Sequence, residues 1–268
     1  MKTRAITGFF FVLIMLSAVV FSAYSFSIFF VLLGVGSLIE FYKLIGLANK
    51  HMRSVEGVLL ALSLFIPIAL FNLGIASWEW IFLSVPCIAW IYIRELYRKS
   101  VQPFQHIAFT FFGLLYAVFP FILFFHMAFL FGSYAYCLPM GFLFLLWTND
   151  TGAYLVGMKF GKHKLFERHS PKKTWEGFIG GLCLALFVGL VLAQYYSQLA
   201  TWQWLGMAFL ISTFGTLGDL TESMLKRSYQ VKDSGTLLPG HGGLLDRFDG
   251  LLLAAPLVYI FLRFSLVF

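Results

Sequence analysis

Read as a pattern of apolar and polar positions, the chain alternates long apolar runs with short polar ones. Nine runs, near 5–22, 25–42, 56–72, 77–93, 107–128, 134–158, 177–196, 202–223 and 249–267, approach the length needed to cross a membrane as a helix. That length is about 20 residues for a hydrocarbon core of roughly 30 Å, because lipid offers backbone groups no partner outside the segment. Ser22 to Ser25 breaks the first two runs and predicts a tight hairpin. The sixth run differs from the others in carrying Asn149 and Asp150. The pattern predicts an all-α integral membrane protein, a polytopic bundle of about nine transmembrane helices.

Composition agrees: the 268 residues include 33 phenylalanines, with 60% hydrophobic and 12% charged residues, and mean hydropathy is +0.86. Soluble domains run nearer 45–50% apolar and about 25% charged. Charge placement tests the segmentation independently. With Lys2 and Arg4 on the cytoplasmic side, alternate loops should collect Lys and Arg. Eighteen of the nineteen basic residues do fall there, and Arg263 alone dissents. The intervening loops carry Trp78, Trp80, Tyr134, Tyr136, Tyr195, Tyr196, Trp202 and Trp204, as an interfacial aromatic belt would. The net charge of +7 therefore reports topology, with the N-terminus cytoplasmic, and no nucleic-acid partner is expected. Cys87, Cys137 and Cys183 have neither metal-site nor disulfide-framework spacing and are assigned to packing. Residues 1–25 resemble a signal peptide, but further spans follow at once, which favours an uncleaved first helix.

Two halves are expected. Residues 1–145 read as a lipid-facing scaffold, whereas 146–268 carry the chemistry at the cytoplasmic face. Three polar clusters stand there. The first joins TNDTGAYLVGMKFGK (148–162) to HSPKKTWEG (169–177), an extended approach to the next helix with Lys172 and Lys173 free to reach a phosphate. Asp150 is costly inside a span and implies a partner or a polar cavity, though an interhelical hydrogen bond would also serve. The second is GTLGDLTESMLKR (215–227): Asp219, Glu222 and Lys226 line one helix face, with Ser223 and Arg227 beside them. Gly215 and Gly218 suit close helix packing or the near approach of a ligand. A helix end bridged by its own acids and bases explains Glu222 and Lys226, but not Asp219. The third is KDSGTLLPGHGGLLDRFDG (232–250), whose bare, turning backbone can present N–H groups to phosphate oxygens. Asp246 and Asp249 follow three apart on the last helix, where capping would account for one of them.

Aspartates 150, 219, 246 and 249 are hard oxygen donors of the kind Mg²⁺ takes beside substrate phosphates, and the surrounding bases suit phosphate oxygens. The loops 159–177 and 224–249 hold ten bases against five acids, a balance that fits an anionic, metal-carrying substrate. No phosphate-binding Gly-x-x-x-x-Gly-Lys-Ser/Thr loop, Gly-x-Ser-x-Gly elbow or His-Glu-x-x-His motif is present. The residues by themselves reach Mg²⁺-dependent phosphate chemistry on a lipid at the cytoplasmic face, and no named substrate.

The run SMLKRSYQVKDSGTLLPGHGGLLDRFD (223–249) resembles the signature of the phosphatidate cytidylyltransferase (CDP-diacylglycerol synthase) family at every demanded position. NDTGAY, SPKKTWEG, GDLTES and Glu40 resemble further family motifs. The resemblance implies transfer of a cytidylyl group from CTP to phosphatidic acid, giving CDP-diacylglycerol and pyrophosphate in phospholipid synthesis. The roles it suggests give Asp219 and Asp246 the Mg²⁺, with Asp249 and Asp150 behind them. Lys226, Arg227, Lys232 and Arg247 would clamp the phosphates, and Gly240, His241, Gly242 and Gly243 would cradle the leaving pyrophosphate. Asp233, Glu222, Ser223, Lys172 and Lys173 complete the expected site. Expected partners are CTP, phosphatidic acid, the bilayer and, as one option, a second copy of the chain in a homodimer. The expected location is the bacterial inner membrane. A CTP-dependent lipid-alcohol kinase and a non-enzymatic lipid transporter are the competing readings.

Overall fold

The computed structural model describes residues 2–46, 55–99, 101–235 and 242–266. Ten α-helices dominate: α1 (Lys2–Phe21), α2 (Ala23–Gly46), α3 (Val55–Asn72), α4 (Ser84–Tyr97), α5 (Pro103–Gly113), α6 (Phe119–Met127), α7 (Cys137–Phe160), α8 (Trp175–Tyr195), α9 (Thr201–Ser228) and α10 (Leu245–Ser265). Each expected apolar run meets one helical segment. Six segments among the described residues are long and apolar enough to cross a membrane: Ala23–Gly46, Val55–Asn72, Trp78–Tyr97, Pro103–Met127, Trp175–Tyr195 and Leu245–Ser265. The apolar part of α1, Thr7–Phe21, is shorter. Helices α7 and α9 have the length, 24 and 28 residues, but their C-terminal halves carry the polar clusters.

Three local departures have physical causes. The turn between α1 and α2 is a single residue. Ser22 N–H donates to Ser25 Oγ and Ser25 N–H to Ser22 Oγ, both at 3.1 Å, a reciprocal cap that starts the second helix without a loop. The fifth run is interrupted by a π-helical turn over Leu114–Val118, where Phe119 N–H reaches Leu114 O, five residues back. Pro120 follows immediately and has no N–H to return to Tyr116, so the ladder shifts. The stretch 164–174 is a hairpin, with β1 (Lys164–Phe166) antiparallel to β2 (Ser170–Thr174) and Lys164 opposite Thr174. The all-α expectation holds, with this short hairpin between two helices the extended exception.

The chain forms two compact units, Met1–Tyr134 with Asp233–Arg247, and Ala135–Lys232 with Phe248–Phe268. The boundary at 134/135 precedes the compositional one at 145/146, because α7 packs as a whole helix. The first unit also takes in 233–247.

In the first unit aromatic rings fill the centre. Phe26, Phe30, Phe41, Phe65, Phe121, Phe124 and Phe125 are fully buried, and Phe26 stacks on Phe125 at 5.5 Å. In lipid such contacts hold helices together by close packing rather than by water exclusion. A charged network ties α3, α4 and α5: Glu56 Oε1 meets Arg94 at 2.6 Å and Arg98 at 2.9 Å, while Glu95 meets Arg98 at 3.0 Å and His106 at 2.9 Å.

In the second unit α7 and α8 nearly touch at their backbones. A Cβ at Gly181 would stand 2.6 Å from Asn149 O, and one at Gly152 would stand 3.1 Å from Gly181 Cα. Only small residues permit that approach. Thr174 caps α8, its Oγ1 accepting from Gly177 N–H at 3.2 Å. Glu176, in the first turn, accepts from Lys162 N–H at 3.1 Å and pairs with His163 Nδ1 at 2.6 Å, which fastens the hairpin to the helix start.

Candidate active site: an aspartate cluster and the glycine-rich segment

Helix packing in the second unit decides which carboxylates meet. Gly218 of α9 lies against α10 so closely that a Cβ there would stand 2.5 Å from Asp249 O and 3.3 Å from Gly250 Cα. Gly215, one turn earlier, faces Gly250 less tightly: a Cβ there would stand 3.8 Å from Gly250 O and 3.0 Å from Leu146 Cδ1. The two glycines serve helix packing, and Asp219 follows Gly218 directly. Asp219 and Asp249 consequently lie within charge–charge range of each other and of Asp150 on α7.

Lys173 belongs to the same group. Its Nζ sits 2.7 Å from Asp219 Oδ2 and donates to Thr216 O at 3.3 Å. Side chains alternate along a strand, so Lys173 turns toward the carboxylates while Lys172 stays exposed. Ser223 Oγ donates to Asp219 Oδ1 at 3.3 Å, and Gly250 N–H donates to Asp249 Oδ1 at 2.7 Å. Asn149 is buried, and neither of its amide atoms has a hydrogen-bond partner of good geometry in the described structure. Three carboxylates and one ammonium leave a local negative excess. Solvent reaches Asp150, and Asp219 and Asp249 are only partly buried.

Among the described residues no three His, Cys, Asp or Glu side chains converge tightly enough to form a metal cage. Mg²⁺ does not require one, since it keeps several waters and takes one or two carboxylates together with substrate phosphates. The donors at Asp219 and Asp249 fit that chemistry.

The basic residues are divided. Lys226 is held by the fully buried Glu222 at 3.2 Å, as expected of an i, i+4 pair. Arg227 donates to Val231 O at 3.4 Å and is exposed, as are Lys232, Asp233 and Arg247.

In the first unit the glycine-rich segment is organised by Asp246. Its Oδ2 accepts from Ser234 N–H at 2.9 Å, Ser234 Oγ–H at 2.9 Å and Gly243 N–H at 2.8 Å. The bond to Gly243 reaches back from the first turn of α10, in the manner of a capping side chain. Asp246 thus caps the segment within the first unit, and Asp249 lies with Asp219 and Asp150 within the second. The Gly243 N–H is committed to Asp246, so Gly243 presents no donor to a phosphate here. Gly242 has φ of 82°, and a Cβ there would meet Asp246 Oδ2 at 2.6 Å, so the backbone conformation and the space both call for glycine. Gly240 and His241 lie outside the described residues.

Two participants escaped residue-level reasoning. Ser234 carries two of the three bonds to Asp246, and a lone serine in a loop gives no signal. Glu40, reached only through the family resemblance, accepts from Leu245 N–H at 3.1 Å from a position 205 residues away. An isolated acid inside an apolar span was the available signal.

Comparison with known proteins identifies the family of the chain. The family model described as "Cytidylyltransferase family" matches residues 2–265. A phosphatidate cytidylyltransferase of Staphylococcus haemolyticus is 37% identical over 268 residues, covering 98% of this chain and 99% of that one. Those of Staphylococcus aureus (strain COL) and Staphylococcus saprophyticus are 51% identical over shorter stretches, of 119 and 123 residues. These stretches cover 44% and 45% of this chain and span about half of those relatives, 46% and 47%. With a family match across nearly its whole length, the chain belongs to the cytidylyltransferase family.

Proposed function

We propose that this membrane protein transfers a cytidylyl group from CTP to phosphatidic acid. A phosphate oxygen of phosphatidic acid forms a bond to the α-phosphorus of CTP, the α–β phosphoanhydride bond breaks, and pyrophosphate leaves with its electron pair. The observation that carries the reading is the group of Asp150, Asp219 and Asp249 with Lys173, set within family motifs. A phosphate monoester is already largely dianionic near neutral pH, with a second pKa of about 6, so no strong general base is needed. The task left to the protein is positioning and charge neutralisation.

Asp219 and Asp249 would hold Mg²⁺, which when bound neutralises charge on the triphosphate and the leaving pyrophosphate. Asp150 tunes the local charge from α7. Lys173 balances Asp219 and stands close enough to turn to a phosphate oxygen. Arg227, Lys232 and Lys172 are exposed cations available to the nucleotide. Asp246 shapes the glycine-rich segment. This reading puts Asp249 ahead of Asp246 at the metal, whereas the roles drawn from the resemblance put Asp246 first. The charge pattern supports nine spans with the N-terminus and the carboxylate cluster on the cytoplasmic side, and the compact length and short loops suit a bacterial inner membrane.

The test is CTP labelled at either the α- or the γ-phosphate, incubated with phosphatidic acid, Mg²⁺ and purified protein in lipid. Label from the α-phosphate alone should enter lipid. Transfer of the γ-label would instead identify a lipid kinase, and transfer of neither a non-enzymatic role.

A further inference from the structure

Glu40 is a charged residue in an apolar helix, only 5% exposed, and its hydrogen bonds go to a segment some two hundred residues away. Its Oε2 accepts from Leu245 N–H, the first residue of α10, at 3.1 Å. Ser234 Oγ lies 3.5 Å from the same oxygen and 2.9 Å from Asp246 Oδ2. One hydroxyl proton cannot serve both well, and the shorter contact assigns it to Asp246. The carboxylate is also wedged between two glycines. A Cβ at Gly235 would stand 2.7 Å from Glu40 Oε1, and one at Gly243 would overlap Oε2. Side chains at those positions would expel Glu40, so the glycines and the acid fit as a set.

A carboxylate buried in this way is costly unless paired, and a simple packing role would be filled as well by leucine. Among the described residues Oε1 of Glu40 has no hydrogen-bond partner of good geometry. What it secures is the backbone on either side of residues 236–241, from 234–235 to 243–245.

We propose that Glu40 is a positioning residue for cytidylyl transfer: from α2 it holds the start of α10 and the described backbone at 234–235 and 242–245, so that these residues and Asp246 keep the placement that cytidylyl transfer requires. The inference rests on the proposed function and on the expectation, carried by the family resemblance, that the glycine-rich segment meets the phosphates of CTP. Glu40 touches no reacting atom and acts through Leu245 N–H and the packing of Gly235 and Gly243. If the segment is competent only part of the time, the apparent affinity for CTP falls by that fraction, while affinity for the lipid does not.

The test compares Glu40→Gln, Glu40→Asp and Glu40→Ala in the full chain, reconstituted in lipid. Gln keeps a carbonyl oxygen at the right reach for Leu245 N–H. Asp keeps the charge but is one methylene short, and Ala keeps neither. The expected result is near-normal kinetics for Glu40→Gln and a rise in KM for CTP on the order of tenfold for Glu40→Asp and Glu40→Ala, the effect of losing one hydrogen bond to a charged acceptor. KM for phosphatidic acid should be unchanged. Hydrogen exchange of a peptide spanning 242–250 should quicken in the same two variants, with α2 peptides unaffected. If Glu40→Ala does not insert, Glu40→Asp against Glu40→Gln decides. The reverse order, with Asp near normal and Gln impaired, would show that charge matters rather than position and would overturn the proposal, as would unchanged exchange in both shortened variants. Failure of the underlying assignment looks different: wild-type protein would show no CTP-induced protection anywhere in 231–250.

Discussion

Replacing Gly218 by alanine should impair the chemistry far more than the fold. The new Cβ would stand 2.5 Å from Asp249 O, whereas ordinary contact begins near 3.4 Å. The obstacle is backbone rather than a flexible side-chain end, so α9 and α10 must part locally by about 1 Å. Overpacking of this kind costs about 1–3 kcal/mol, which a protein with about 5–15 kcal/mol of stability survives. The same displacement moves Asp219 relative to Asp249. A misplacement of about 1 Å in a catalytic constellation can cost on the order of a hundredfold in rate. The assay is the initial rate of α-labelled CTP incorporation into lipid across a Mg²⁺ titration, with thermal unfolding measured on the same samples. Gly46→Ala is the control, since no described atom lies within 4 Å of a Cβ there. The expected outcome is a folded Gly218→Ala protein with kcat lowered about a hundredfold and a raised Mg²⁺ requirement. A wild-type kcat and Mg²⁺ profile would refute the view that this helix contact aligns the carboxylates.

Other consequences can be measured directly. Asp249→Asn should shift the Mg²⁺ dependence strongly, whereas Asp246→Asn, which retains an acceptor oxygen for Ser234 and Gly243, should shift it less; equal shifts would return Asp246 to the metal. Lys173→Met removes the 2.7 Å partner of Asp219 and should raise the CTP requirement, while tightening Mn²⁺ binding measured by electron paramagnetic resonance without nucleotide. Thr174→Ala deletes the cap on Gly177 N–H and should cost about 1 kcal/mol of thermal stability. Arg98→Ala leaves Glu95 and Glu56 short of a cation and should cost about 2 kcal/mol, with KM values unaffected.

The apolar runs by themselves determined where the helices lie. Runs of that length have one way to satisfy their backbone in lipid, so each became a helical segment, and even the break at Ser22 was legible. The polar clusters and the signature from Ser223 to Asp249 point to the part of the chain proposed to carry the chemistry. Tertiary structure decided which of those residues act together. Asp246 and Asp249 are three apart and look alike in the sequence, yet one caps the glycine-rich segment and the other joins Asp150 and Asp219. Lys172 and Lys173 are neighbours, and only strand alternation with the placement of the hairpin gives Lys173 to Asp219. Periodicity describes the face a residue occupies on its own element, whereas the partner opposite that face comes from how closely two backbones approach. Here that approach is set by glycines at 152, 181, 215, 218 and 250 within the second unit, and in the first by Gly235 and Gly243 closing on Glu40.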